Sequence, residues 1–287
     1  MPMTVKVRDR LVSGLKRLQP VIAQQKARDV SEADTVTVVK DVLCDVMGFD
    51  KYAEPTSEHC IRGTYCDLAV KIDDKLTLLV EVKAAGMELE DRHVKQAVDY
   101  AANQGIDWVV LTNASVWRLY EVIFEKPIDK RLLIEVDVSA IDPRKDEQLE
   151  RVYLFSREGF TKGACAELRD KQDATSRYTL AALIVHNDAV VAAIRRELRR
   201  LVDVLVDDES IVKVLSDEVI KRDALEGPNA EAAARRVNRT EASQRAAKTA
   251  AKNRIGITEG DPDAPPIAAS STTPPAAISA PAANPEK

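Results

Sequence analysis

A glutamate and a lysine stand two residues apart in the otherwise apolar segment LVEVKAAG, which begins at Leu79. Because side chains alternate along a strand, Glu81 and Lys83 share one face of a predicted strand, while Val80 and Val82 share the other. A carboxylate and an amine placed this way can form an ordinary surface salt bridge. They can also act together on a charged substrate.

A second carboxylate, Asp67, precedes Glu81 by 14 residues, across a hairpin whose predicted turn is Asp73-Asp74-Lys75. That turn sets Asp67 and Glu81 on neighbouring strands, about 5 Å apart. Two carboxylates this close repel each other unless a cation lies between them. Mg²⁺ takes oxygen ligands, usually one or two protein carboxylates with several waters. The spacing therefore predicts a Mg²⁺ site, open to Mn²⁺ as well, formed by Asp67, Glu81 and the carbonyl of Val82.

A metal held there could bind a phosphate oxygen and lower the pKa of a bound water. Lys83 would then neutralise charge that develops on the phosphorane or orient the attacking water. The next predicted helix carries Gln96 and Tyr100 one turn apart on the face that also holds His93, which we expect on the helix surface and not as a ligand. The alternative interpretation of the three charged residues is a cross-strand salt-bridge set.

The elements that must position these residues alternate between helix and strand. Two helices are predicted within residues 4–49, the second capped by Ser31 and ended by Gly48. The remaining predicted elements are hairpin strands at 65–72 and 76–82, a helix at 91–103 closed by Gly105, and strands at 108–111, 116–122 and 132–138. This order predicts an α/β fold, with helices flanking a mixed sheet.

Sequence blocks in the first half of the chain carry a family resemblance. The blocks are SEADTVTVVKDVLCDVMGF, YCDLAV, LLVEVKAAG and HVKQAVDYAANQGIDWVVLTNASVWRLYEV. In this order they resemble the N-terminal nuclease domain of type I restriction endonuclease R subunits, over roughly residues 25–140. The order Asp67, Glu81-Val82-Lys83, Gln96-x-x-x-Tyr100 also resembles the PD-(D/E)XK nucleases that carry a QxxxY motif.

The resemblance implies a restriction-endonuclease-like core and a Mg²⁺-dependent endonuclease that hydrolyses DNA in restriction or defence. The site residues that it implies are Asp67 and Glu81 as metal ligands, Lys83 as the catalytic lysine, Gln96 and Tyr100 as positioning residues, and Glu32 as an acidic residue near the metal. Glu32 can also be read as a first-turn residue that complements its helix dipole. Cys66 stands where the family has proline, which leaves the carboxylate in place.

Other readings of the same residues stay open. The 287 residues contain no GxxxxGK[ST] phosphate loop, so we do not expect a complete restriction motor, and a partner would supply specificity or ATP-driven movement. The runner-up function is a catalytically weak or inactive nucleic-acid-binding or assembly subunit with a nuclease fold. An RNA-directed nuclease is a third reading, because the metal chemistry is the same for either sugar.

Composition excludes several classes of protein. The net charge of -5 gives no global nucleic-acid signature, so any contact with DNA must be local. The four cysteines form no CxxC pair and have no histidine at zinc-finger spacing, which favours reduced thiols in a cytoplasmic protein. We expect no secretion signal and no membrane span, because no apolar run is long enough.

Four segments are predicted along the chain: a nuclease-like domain at 1–145, a helical extension at 146–226, a basic Ala-rich segment at 227–260 and a disordered tail at 261–287. Apolar residues from Leu180 to Leu205 follow a heptad spacing. That spacing predicts a helix packed against its own chain or, alternatively, a homodimer contact. The basic segment is read as a solvated helix or as an arm that touches DNA.

Overall fold

The computed structural model describes the backbone of residues 3–61 and 64–256. The predicted tail at 261–287 lies outside these residues. The described chain forms two compact units, one up to Ser176 and one from Arg177 on. The first unit contains the candidate site.

A six-stranded sheet forms the centre of the first unit, and its spatial order is the chain order. Its strands are β1 (Pro55–Ile61), β2 (Thr64–Ile72), β3 (Lys75–Val82), β4 (Trp108–Thr112), β5 (Val116–Ile123) and β6 (Asp129–Asp137). Neighbouring strands are antiparallel except β3 and β4, which are parallel. The sheet is therefore mixed, as predicted, although β1 was not foreseen.

The hairpin of β2 and β3 sets the register of the charged residues. Asp73 and Asp74 form its turn with positive φ angles of 50° and 62°, a backbone conformation that aspartate tolerates better than most residues. Leu68 pairs with Val80 across the two strands. Asp67 and Glu81, one residue further from the turn, therefore lie opposite each other.

One face of the sheet packs against two N-terminal helices, α1 (Val5–Ala27) and α2 (Glu32–Asp41). Helix α1 buries Leu11, Leu15, Leu18 and Ile22, which recur at helical spacing. The Ser31 hydroxyl accepts a hydrogen bond from the Asp34 amide and caps α2, as expected. A π-helical turn, Val42–Val46, extends α2 before Gly48 reverses the backbone at a φ of 84°.

The opposite face of the sheet packs against α3 (Lys95–Gln104), which follows the 3-10 turn Asp91–Val94 and connects the parallel strands β3 and β4. Gly105 ends this helix in the left-handed conformation, as its sequence position predicts. Helices α4 (Asp146–Tyr153), α5 (Arg157–Thr161) and α6 (Ala164–Ala174) complete the first unit. This compact unit thus extends past residue 145, where the sequence placed the start of a helical extension.

In its described residues the second unit contains helices α7 (Arg177–His186), α8 (Asp188–Val202), α9 (Asp208–Val214) and α10 (Pro228–Gly256), with a π-helical turn at Leu215–Val219 and a 3-10 turn at Arg222–Ala224. The predicted continuous heptad is wrong: α7 ends at His186, and the Asn187 side chain caps α8. Helix α7 packs against α10, which agrees with the predicted packing against its own chain, and this contact includes Ala182 and Val237. The basic Ala-rich segment lies mostly in α10.

The observed architecture confirms the α/β class, with a mixed sheet flanked by helices and further helices after it. Two apolar clusters, one on each face of the sheet, form the core of the first unit. Within the part of the chain that the structure describes, no helix is both long enough and apolar enough to cross a bilayer.

Candidate active site

Four predicted residues come together where strand β3 ends. Asp67 lies on β2, Glu81 on β3, Lys83 directly after β3, and Glu32 in the first turn of α2. The Lys83 amide donates a hydrogen bond of 2.8 Å to the Thr112 carbonyl on the parallel strand β4. This bond continues the sheet pairing past Val82 and fixes the backbone that carries Lys83.

The Lys83 amine bridges two carboxylates. Its Nζ lies 2.7 Å from Glu81 Oε1 and 3.3 Å from Glu32 Oε2. Lys83 and Glu81 are well buried, whereas the Glu32 side chain is about half exposed. The interpretation of Glu32 as a residue near the site agrees with this contact, although Glu32 also occupies the first turn of α2, where its charge complements the helix dipole.

Asp67 is tied to the backbone of the same strand end. Its Oδ2 accepts a hydrogen bond of 2.7 Å from the Val82 amide. The side chain of Val82 is fully buried in the cluster beneath α1 and α2, so the core anchors this amide. Asp67 is therefore held toward β3 while its second carboxylate oxygen is left for another contact.

The pKa values of both carboxyl groups rise above their ordinary values. Burial is the main cause for Glu81, and the charge of Asp67 adds to it against the opposing effect of Lys83. Burial also raises the pKa of Asp67, although the Val82 amide and Lys83 partly offset it. Burial alone would lower the pKa of Lys83, but its hydrogen bond to Glu81 and the two nearby carboxylates raise it overall.

The donors at this point suit a hard cation with few protein ligands. Across the described residues, no group of three or more His, Cys, Asp or Glu side chains is arranged to hold a metal ion. Asp67 and Glu81 supply two carboxylates on adjacent strands, with the Val82 main chain between them in the same strand end. Two carboxylates completed by waters are what Mg²⁺ ordinarily takes, so this donor set fits Mg²⁺ and not zinc.

The predicted helix residues lie on α3, over the sheet face that carries Asp67 and Glu81. Tyr100 is buried in the cluster that contains Cys66, which precedes Asp67, and Leu79, which lies two residues before Glu81 on β3. Gln96 is exposed one turn earlier. His93 accepts a hydrogen bond from the Glu90 amide at Nδ1 and so caps the 3-10 turn, consistent with its predicted place outside the ligand set.

Sequence reasoning did not single out the residues that hold the loop after Lys83. Asn113 is buried, and its side-chain amide donates a hydrogen bond of 2.8 Å to the Met87 carbonyl, while its Oδ1 accepts from the Val116 amide. Gly86 lies so close to Asp29 that an added Cβ would sit 2.1 Å from the aspartate oxygen. Asn113 belongs to the sequence block that contains LTN, but the sequence alone does not predict its hydrogen bond to the Met87 carbonyl.

Cys66 is a core residue despite its place next to Asp67. Burial raises the pKa of its thiol to about 12, and the charges of Glu81 and Asp67 contribute. Its Sγ lies 3.4 Å from the Val80 carbonyl. The thiol is thus protonated at neutral pH and is no nucleophile.

A comparison with known families agrees with the sequence resemblance. The model described as Type I restriction enzyme R protein N terminus matches residues 56–147, which include β2, β3, α3 and the loop at Asn113. No curated protein and no solved structure gives a significant match. Over this region, which holds every candidate site residue except Glu32, the chain is similar to the N-terminal domain of type I restriction enzyme R proteins.

Proposed function

We propose that the first unit is a Mg²⁺-dependent nuclease of the PD-(D/E)XK type, which hydrolyses phosphodiester bonds in DNA. The observation that carries this proposal is the charge balance at the end of β3. Three carboxylates lie around one lysine amine in a partly buried place: Glu81 and Glu32 pair with Lys83, and Asp67 is influenced by its charge without contacting it. Such a deficit of positive charge favours a bound cation, and the match to the restriction-enzyme family supports a nucleic-acid substrate.

Asp67 and Glu81 would hold the metal, with the Val82 carbonyl as a further ligand. Bound Mg²⁺, or Mn²⁺ in its place, would polarise a phosphate oxygen and lower the pKa of a bound water. The Val82 amide orients Asp67 through its hydrogen bond, so the ligand does not have to be ordered when the metal arrives. The fully buried Val82 side chain holds that amide in position.

Lys83 would stabilise the charge that develops on the phosphate. In the structure its amine neutralises Glu81 and Glu32, and its long flexible side chain can exchange those contacts for a phosphate oxygen. The Glu32 side chain is half exposed, so pairing with the Lys83 amine between turnovers removes little water from its carboxylate. The raised pKa keeps Lys83 charged at neutral pH, as electrostatic stabilisation requires.

Gln96 and Tyr100 would act from α3 as positioning residues. Tyr100 packs against the strands that carry the carboxylates, and Gln96 is exposed one turn earlier on the same helix. Specificity, and any ATP-driven movement along DNA, would come from a partner protein. Restriction or defence against foreign DNA is the setting that the family match supports.

The direct test is cleavage of supercoiled plasmid DNA by purified protein with Mg²⁺ or Mn²⁺. We expect nicking that Lys83→Ala and Asp67→Ala each reduce at least about a hundredfold, because each loses a charge that acts on the transition state. Lys75→Ala is the matched control: it removes an exposed lysine from the other end of β3 and should leave the rate unchanged.

Equal rates for the wild type and Lys83→Ala would contradict the catalytic proposal and favour a binding or assembly subunit. A labelled single-stranded RNA of the same sequence, assayed beside the DNA, tests the choice of nucleic acid. Faster cleavage of the RNA would change the substrate class without changing the site.

A further inference from the structure

Helix α10 carries a concentration of positive charge that the rest of the chain lacks. Between residues 232 and 254 the sequence has one acidic residue, Glu241, and seven basic ones: Arg235, Arg236, Arg239, Arg245, Lys248, Lys252 and Arg254. The whole chain has a net charge of -5, so this segment differs from it in sign. A run of like charges can be a solvated helix face, so its meaning depends on which residues the fold covers.

Helix α10 packs against α7 through residues that recur at helical spacing. Ala230, Ala233, Val237 and Glu241 are buried, and Ala233 and Val237 belong to an apolar cluster shared with α7. Glu241 is 8% exposed and accepts a hydrogen bond from the Asn187 side chain, which caps α8. The one acidic side chain of the segment therefore lies on the covered face of the helix.

Three arginines lie on the opposite side of α10, and we call them the arginine face: Arg235, Arg236 and Arg239. All three are exposed, and their positions span about 100° of the helix circumference. Arg235 lies 3.4 Å from Glu231 in the first turn. In the described part of the chain, Arg236 and Arg239 have no carboxylate partner. Two neighbouring guanidinium groups thus keep an uncompensated charge in solvent.

The remaining basic residues extend the charge along the same helix. Arg245 pairs with Asp188 at the start of α8, and Lys248, Lys252 and Arg254 follow in the last three turns. At 1.5 Å per residue, the basic positions from Arg235 to Arg254 extend over about 28 Å. One strand of duplex DNA presents about eight phosphates over that length. A row of charges this long suits a polyanion better than a single small anion.

We propose that the arginine face of α10 binds the phosphate backbone of nucleic acid without sequence preference. Guanidinium groups donate paired hydrogen bonds to phosphate and are weakly hydrated, so they suit this ligand. Phosphate contacts hold DNA in place but do not read its sequence. The choice of DNA as the ligand rests on the nuclease proposed for the first unit, since DNA bound to α10 is held at high local concentration near the rest of the chain.

Fluorescence anisotropy of a labelled mixed-sequence DNA duplex, titrated with the full chain in EDTA, measures this binding. EDTA prevents metal-dependent cleavage. We expect an affinity that falls as salt rises from about 50 to about 200 mM and that is the same for a duplex of unrelated sequence. Arg236→Gln/Arg239→Gln should weaken binding at least about tenfold and reduce the slope of log affinity against log salt by about 2, since each phosphate contact contributes about 0.9.

The matched control removes the same charge from two exposed arginines that have partners within the chain. In Arg144→Gln/Arg222→Gln, the lost groups pair with Asp142 at 3.1 Å and with Glu226 at 3.0 Å. This variant should bind DNA as the wild type does.

A charge-conserving variant separates charge from helix packing. Arg236→Lys/Arg239→Lys keeps both charges and should therefore keep the salt slope of the wild type. Because both positions are exposed, circular dichroism should show the same helix content in the glutamine and lysine variants as in the wild type.

The proposal is overturned by a wild type that does not bind DNA in EDTA, by a glutamine variant that binds no more weakly than the control, or by a lysine variant that loses the salt slope. Poly-glutamate at equal charge should displace little DNA; full displacement would indicate an acidic protein as the partner and overturn the choice of nucleic acid.

Plasmid cleavage with Mg²⁺ separates this proposal from the proposed nuclease activity. Binding through the arginine face without any cleavage supports the arginine face and contradicts the nuclease proposal. Cleavage by the wild type, together with unaltered DNA binding by the glutamine variant, contradicts the arginine face and leaves the nuclease proposal in place.

Discussion

Two glutamates on the central sheet are buried to nearly the same extent but have opposite surroundings. The side chain of Glu81 on β3 is 13% exposed, and that of Glu121 on β5 is 14% exposed. Glu81 has one cationic neighbour, Lys83, which it shares with Glu32. Glu121 has two: Arg131 lies 2.5 Å away and Arg169 lies 3.0 Å away.

The difference separates a carboxylate that is paired within the fold from one that we propose binds a cation. Arg131 also pairs with Asp173 at 2.6 Å, and Arg169 pairs with the exposed Asp170 at 3.0 Å, so each carboxylate of the Glu121 cluster, which joins β6 to α6, has an arginine partner. At the Glu81 cluster, burial and the charge of Asp67 raise the carboxyl pKa even with Lys83 present. A buried charge without a partner lowers the stability of the fold. Such charges are therefore typical of sites where a bound cation or a substrate provides the opposite charge.

The same substitution at both glutamates gives the largest predicted contrast. Glu81→Gln should reduce plasmid cleavage about 10²- to 10³-fold, because it removes the proposed metal ligand and leaves Lys83 with Glu32 as its one carboxylate partner. Glu121→Gln should leave the cleavage rate within a few-fold of wild type at a temperature where the protein is folded. A comparable loss of activity in both variants would mean that burial, and not charge balance, sets the importance of these residues.

Stability should show the reverse order. Glu121→Gln leaves Arg131 and Arg169 near each other without their shared carboxylate, which should lower the free energy of unfolding by about 2 kcal/mol. Urea denaturation in the presence of EDTA measures this change in the free energy of unfolding. The control is Glu135→Gln, which removes a single, half-exposed partner of Arg118 on the same sheet and should cost less than about 1 kcal/mol. Equal costs would argue against the shared-carboxylate explanation.

Much of the candidate site followed from the sequence because its signals are local. The alternation of Glu81 and Lys83 fixed their common face, and the turn residues Asp73 and Asp74 fixed the register that brings Asp67 opposite Glu81. Gly105 and Ser31 marked helix ends by their own conformational preferences. Each of these inferences depends on residues within one hairpin or one helical turn.

The parts that were missed depend on contacts between distant segments. Glu121 and Arg169 belong to different elements and are 48 residues apart in the chain. No local sequence pattern predicts that they pair. The heptad spacing from Leu180 to Leu205 does not show that the helix stops at Asn187, whose side chain accepts the hydrogen bond that begins α8. An asparagine side chain can bond to nearby backbone groups in place of the helical hydrogen bonds. The spacing of apolar residues alone therefore cannot distinguish an asparagine inside one long helix from an asparagine that caps the start of a second helix.

Metal binding sharpens the comparison without relying on catalysis. Mg²⁺ at several times its dissociation constant should stabilise the wild type by about 1 kcal/mol, a rise of a few degrees in the melting temperature. Glu121→Gln should keep this shift, and Glu81→Gln should lose it, since only Glu81 lies in the proposed ligand set. Calorimetry with and without Mg²⁺ measures both. An equal shift in the two variants would place the ion elsewhere.

The smallest predicted effect concerns the metal-free protein. Asp67→Asn keeps an oxygen that can accept from the Val82 amide but removes a carboxylate whose pKa burial raises. Because folded Asp67 binds its proton more tightly than unfolded Asp67, the wild type loses stability as pH rises through that raised pKa.

At pH 7 with EDTA, Asp67→Asn should therefore be more stable than wild type, by less than about 1 kcal/mol after solvent screening. This gain should shrink as the pH is lowered toward the ordinary aspartate pKa, where the wild-type carboxyl is protonated in both states. Urea denaturation of both proteins from pH 7 down to about 4 measures the trend. Glu135→Gln, which removes a carboxylate on the same sheet with an arginine partner and no shared deficit of positive charge, should show no such gain at pH 7. If Asp67→Asn were instead less stable at pH 7 in the absence of metal, the Asp67 charge would be compensated within the chain, as that of Glu121 is.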